Sequence, residues 1–141
     1  MIDPPLRLQS GTRGVSADGW MGSEASYSRY TAAAGHPGQL EVRLSRPGLG
    51  PQQPGQVSVE VRRLSVDGGT LGALYSVETG TIEPQARRTI LTLATPPPPF
   101  RAVVRVWPTF SPRAGDPRQL GAVVRFRFVP RSPVPASRGR R

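Results

Sequence analysis

Chemistry in this chain would have to be carried by very few residue types. There is one histidine, His36, set in the turn Gly35-His36-Pro37-Gly38, and there is no cysteine. A general base needs a proton partner and an orienting group. Nothing at this spacing supplies either, so His36 reads as a solvent-exposed turn residue. Serines are plentiful, but no Gly-x-Ser-x-Gly elbow accompanies them. A paired-carboxylate hydrolase would have to draw on Asp18, Glu24, Asp67, Glu78, Glu83 and Asp116, all in turn-like or loop segments, and their spacing alone does not bring two of them together. The missing cysteines exclude disulfides and thiolate metal centres. Metal-ligand spacing is absent as well, and no cofactor is expected. Calcium is left open, because oxygen ligands on loops need no motif.

Binding chemistry is better represented. The chain of 141 residues carries nineteen basic side chains against nine acidic ones, a net charge of +10, and every basic residue is an arginine. Such a charge permits nucleic acid, anionic lipid or acidic glycan by long-range attraction without choosing among them. Alternation places Trp107 on the same strand face as Arg101 and Arg105, where a sugar ring could stack on the indole. The competing reading covers Trp107 with the loop Pro108–Leu120. Trp20 follows Asp18-Gly19 and could either join such a surface or plug one end of the fold. Arginines at 43, 62, 101, 105, 125 and 127 could track phosphates, but only Trp107 is interleaved with them, which weakens the case for nucleic acid. They could equally keep an open sheet face soluble and discourage edge pairing.

The elements that must position these residues are strands. In Phe100–Trp107, Phe100, Ala102, Val104 and Val106 share one face; in Gly121–Val129, Val124, Phe126 and Phe128 do. Period two is the pattern of a half-buried strand. Gln39–Arg46 (Leu40, Val42, Leu44 inward) and Gln56–Leu64 (Val57, Val59, Val61 inward) alternate as cleanly. Shorter runs at Leu6–Leu8, Ser26–Thr31, Thr70–Val77, Thr81–Glu83 and Arg87–Leu93 bring the expected number to between seven and nine. Gly11–Gly19 reads as a loop, Asp67-Gly68-Gly69 and Glu78–Gly80 as turns, and Pro96–Pro99 as a stiff spacer. Leu71, Ala73, Tyr75 and Val77 would share an inward face. No helical segment is long enough for a parallel crossover, so the expectation is all-β: an antiparallel two-sheet sandwich of jelly-roll or galactose-binding-like type. Residues 1–14 form a lead-in, 15–130 the domain, and 131–141 a Pro-, Ser- and Arg-rich tail of the composition expected of disorder. No run approaches the roughly 20 apolar residues of a spanning helix, so the chain as given reads as soluble.

Two motifs carry a resemblance. Asp18-Gly19-Trp20, followed by Tyr27 and the alternating Leu40–Leu44 strand, resembles the opening of the β-sandwich domains attached to actinobacterial membrane glycosyltransferases. The segment Asp116-Pro117-Arg118-Gln119-Leu120-Gly121 is similar to the Asp-x-Arg-x-Leu-Gly stretch before the final strand of those domains. The likeness spans about residues 15–130. It implies an extracytoplasmic, non-catalytic accessory module of the cell envelope, contacting a glycan or a lipid-linked sugar beside a membrane glycosyltransferase. It also implies that Asp116 and Arg118 pair to brace their loop, with Gly121 giving a tight turn into the strand. The chain has neither the spanning segments nor the acidic catalytic loops of those enzymes, so the likeness is to a domain that could be cut from such a protein.

The leading expectation is therefore a glycan-associated module with no enzymatic activity, its ligand held by Trp107, Arg105, Arg101, Trp20 and Asp18. The alternative is a basic domain that docks on nucleic acid or anionic lipid through its arginine face and tail. A small hydrolase working through loop carboxylates comes third.

Overall fold

The computed structural model describes residues 11–30, 37–46, 54–65, 70–83, 88–111 and 118–130. The expected Leu6–Leu8 strand, His36, the Asp67–Gly69 turn, Asp116 and the basic tail lie outside them. Eight strands follow one another: β1 (Gly11–Val15), β2 (Trp20–Arg29), β3 (Gly38–Ser45), β4 (Gly55–Leu64), β5 (Leu71–Ile82), β6 (Thr89–Thr95), β7 (Phe100–Trp107) and β8 (Ala122–Pro130). No helix occurs among the described residues, and none is long and apolar enough to cross a membrane.

Hydrogen bonding joins the strands in one antiparallel sheet, in the order β5-β4-β7-β2-β8-β3-β6, with β1 paired to β2 off this path. The expected all-β antiparallel class is what forms. In place of two facing sheets, the ladder runs on continuously and curls nearly to closure. The remaining seam lies between β5 and β6, where side chains reach across: Ser76 Oγ donates to the Ala94 carbonyl at 2.7 Å and Thr89 Oγ1 to the Thr81 carbonyl at 2.6 Å. Closure of this kind limits the exposed strand edges that invite pairing with other chains.

The interior follows from period-two patterning. Leu40, Val42 and Leu44 of β3, Val57, Val59 and Val61 of β4, Leu91 and Leu93 of β6, Phe100, Ala102, Val104 and Val106 of β7, and Ala122 and Val124 of β8 form one buried cluster. Directly opposed residues in an antiparallel ladder share a face, and the registers Val57↔Val106, Val59↔Val104 and Val42↔Phe126 keep apolar against apolar. Different groups fill the two ends. At one, Tyr27 stacks on Phe126 with centroids 5.3 Å apart, and Phe100 packs on Phe128 at 5.5 Å. At the other lie Trp20, Phe110 and Arg46.

Two segments depart from expectation. Gly11–Val15 is a strand rather than a loop, bonded along β2 with a register shift after Arg13; its glycines and polar residues mask a strand whose partner, not its composition, fixes it. Glu78–Gly80 is no turn but the middle of β5, a single strand of twelve residues. The inward face of β5 is also reversed. Ser76 opposes Val61, Glu78 opposes Val59 and Gly80 opposes Val57, while Val77 lies outward opposite Glu60. A shift between Ser76 and Leu74 bulges the strand at Tyr75, so the simple alternation Leu71, Ala73, Tyr75, Val77 does not map to the core. Leu71, Leu74, Tyr75 and Val77 are all exposed.

Candidate functional site

The outer surface of the sheet divides the arginines into two groups with different electrostatics. On the β4–β7–β2 surface they are interlaced with acids and hydroxyls. Arg105 lies 3.5 Å from Glu24 and 3.9 Å from Glu60, and Glu60 also takes Arg62 Nε at 3.3 Å. Arg101 donates from Nε to Ser28 Oγ at 2.8 Å and from Nη2 to the Tyr30 hydroxyl at 3.3 Å. Exposed pairs of this type contribute little to stability, but they neutralise the surface locally. Trp107 stands at the end of β7 on this side, 49% exposed, opposite Gln56 on β4. Against the described residues its ring stays half exposed. Trp107 and Arg105 thus share one open surface, with Arg101 further along the strand and engaged by Ser28 and Tyr30.

Trp20 and Asp18 do not join them. Trp20 is 7% exposed and meets Phe110 edge-on at 5.7 Å, closing an end of the barrel. Asp18 accepts the Trp20 backbone N–H at 3.3 Å and pairs with Arg118 at 3.1 Å. The N–H bond, then the guanidinium, hold its carboxyl below the usual carboxylate value. Arg118 thus ties the residues just before β8 to the β1–β2 turn, a hundred residues away in sequence. Gly121 sits so close to the Gly22 carbonyl that no Cβ fits, and its N–H donates to the Met21 carbonyl at 2.8 Å.

The β8–β3–β6 surface is different. Arg43 on β3 lies directly opposite Arg125 on β8, and Glu41 lies opposite Arg127. Arg88 precedes β6, whose Thr89 is the partner of Leu44. Among the described residues these four arginines share the surface with one acid, Glu41, which binds Arg43 at Nε and Nη2, both at 2.9 Å. Among the described residues no carboxylate pairs with Arg88 or Arg125. A depression of about 140 Å³ opens between Arg43, Leu44, Ser45, Arg88, Val123 and Arg125. Arg43 and Arg125 were visible in the sequence as outward positions. What was not visible is that β3 and β8 are neighbours in this register, or that the chain before β6 adds Arg88.

Arg46 is the residue that sequence reasoning missed. It is 1% exposed, donates from Nε to the Gly121 carbonyl at 2.8 Å and from Nη2 to the Pro108 carbonyl, and lies 5.5 Å over the Phe110 ring. Burial pushes its pKa down from the ordinary guanidinium value. It continues β3 with the parity of Leu40, Val42 and Leu44, and that inward parity was the available signal. Among the described residues no three His, Cys, Asp or Glu side chains gather to hold a metal ion. No protein-family model, curated protein or solved structure matches this chain.

Proposed function

We propose that this protein is a non-catalytic binding module for an acidic glycan, engaged through the β8–β3–β6 surface. The observation that carries this reading is that Arg43, Arg88, Arg125 and Arg127 share one surface on which, among the described residues, the one carboxylate is Glu41. Like charges directly opposite across a ladder destabilise it, and a polyanion would relieve that cost. The outward residues of β3 and β8 here include no aromatic side chain (Gln39, Glu41, Arg43, Ser45, Val123, Arg125, Arg127 and Val129). Single-stranded nucleic acid, which is held largely by base stacking on aromatics, is therefore the poorer fit. Acidic sugars need only guanidinium forks aimed at their anionic groups. The resemblance to glycosyltransferase-associated domains would place such a module outside the cytoplasm, in the cell envelope, beside a membrane enzyme that makes or moves the glycan or its lipid-linked precursor.

Retention on immobilised acidic polysaccharide, compared with neutral polysaccharide and single-stranded DNA, tests the reading. Binding should be selective for the acidic glycan, weaken with salt, and fall together with Arg125→Gln and Arg127→Gln. Retention untouched by these two changes overturns it.

A second reading is favoured by the exposure of Trp107. A neutral sugar could stack on its indole while Gln56 and Arg105 supply hydrogen bonds. In that case Trp107→Ala, and not the arginine changes, would abolish binding.

A further inference from the structure

Within the basic surface, we infer that the depression between Arg43, Arg88 and Arg125 is a discrete site for a tetrahedral oxyanion, a phosphate or sulfate ester on the glycan. This rests on the acidic-glycan reading and gives it a specific anchor. Three guanidinium-bearing residues come from three separate places in the chain: the middle of β3, the middle of β8 and the residue before β6. Two are held directly opposite by the ladder register, so backbone geometry fixes their proximity. The third is brought there by the pairing of Thr89 with Leu44. Glu41 occupies the Nε–Nη2 edge of Arg43, which orients that guanidinium and leaves Nη1 for a ligand. Ser45, on the same face of β3, adds a hydroxyl to the rim.

The shape of the anion follows from this arrangement. A planar carboxylate accepts guanidinium forks in one plane, and two suffice to fill it. A tetrahedral oxyanion presents at least three oxygens in different directions, which suits donors arriving from two strands and from the residue that leads into a third. Phosphate and sulfate esters share this chemistry and differ in titration. A phosphate monoester gains its second charge near pH 6, whereas a sulfate ester keeps one charge throughout.

The full chain titrated with glucose 6-phosphate, glucose 6-sulfate and glucuronate, followed by amide chemical shifts and by Tm, tests the site. Both esters should shift amides around Ser45, Arg88 and Val123 and raise Tm, with glucuronate at least about tenfold weaker. A rise in affinity between pH 5 and 7 identifies the phosphate ester as the ligand, and a flat profile with tighter sulfate binding identifies the sulfate. Arg88→Gln and Arg125→Gln should each weaken the esters at least tenfold, and Arg127→Gln, outside the depression, should not. Arg125→Gln should also leave the unliganded Tm equal or higher, since it removes the opposed like charge; a fold lesion would lower it. Equal losses for Arg125→Gln and Arg127→Gln overturn the discrete site while leaving acidic-glycan binding standing. Ester binding at these residues without retention on any acidic polysaccharide does the reverse. Tighter glucuronate than ester binding overturns the tetrahedral assignment.

Discussion

Gly55 packs against Arg46 so closely that a Cβ at position 55 would lie 2.6 Å from the guanidinium carbon. The first residue of β4 is thus left bare to admit a buried cation. That cation ties the end of β3 to the loop leaving β7, through the carbonyls of Pro108 and Gly121. Gly55→Ala should cost about 1–3 kcal/mol, the usual penalty of overpacking a filled interior. Gly11→Ala, where nothing lies within 4 Å, should leave stability within about 0.5 kcal/mol. Chemical denaturation of the two variants measures both.

Arg46 itself should be the more sensitive position. Arg46→Met keeps volume but strands two carbonyl acceptors inside the barrel end, at a cost of about 3 kcal/mol. Arg46→Lys should not restore it. A single ammonium cannot reproduce bonds that leave the guanidinium from Nε and Nη2 in fixed directions while its plane rests over Phe110. A lysine variant as stable as the wild type would show that charge alone, not the planar fork, secures this end.

How far the fold was legible can be judged from particular strands. The runs at Leu40–Leu44, Val57–Val61 and Phe100–Val106 have one face buried and one wet, so alternation finds them and their inward residues directly. β5 defeats the same rule for a physical reason: it bulges at Tyr75, and the residues opposite Val61, Val59 and Val57 are Ser76, Glu78 and Gly80, with Glu78 still exposed at the seam. β1 is fixed by the edge of β2 that it covers, which no local pattern records. The candidate site was legible one residue at a time, Arg43 and Arg125 as outward, whereas the pattern left open whether Trp107 is exposed or covered. Strand order was not legible, and strand order alone sets Arg43 against Arg125 and separates both from the acid-laced arginines of β7. Trp20 illustrates the limit for aromatics, since a tryptophan after a glycine turn looks the same whether it caps a core or meets a ligand.

Asp18 gives the fold an acid-sensitive latch. Its carboxyl is held low in the folded state, first by the Trp20 N–H and then by Arg118. A group depressed on folding contributes stability above its unfolded value, and loses that contribution as pH falls through its folded value. Thermal stability followed from pH 5 to pH 2 should therefore decline less steeply in Asp18→Asn than in the wild type. The amide can still accept the Trp20 N–H but has no charge to lose. Parallel declines in the two proteins would assign the acid limb to other carboxylates.

The outward apolar residues of β5 are the last point at which the sequence misleads and the structure predicts. Leu74 and Val77 are each 47% exposed, and Val77 faces Glu60 rather than the core. Buried, either would cost several kcal/mol to replace with a polar residue. On this surface Leu74→Thr and Val77→Thr should each change stability by no more than about 0.5 kcal/mol, since the β-branched threonine side chain suits a strand. They should also reduce self-association at high concentration, because β5 borders the seam with β6 and presents apolar side chains beside an incompletely bonded ladder. Light scattering with concentration, alongside denaturation, checks both halves of the expectation. A loss of more than about 2 kcal/mol from Val77→Thr would mean that Val77 packs inward as the plain alternation of Leu71 to Val77 implies, and that the register of β5 against β4 is shifted by one residue.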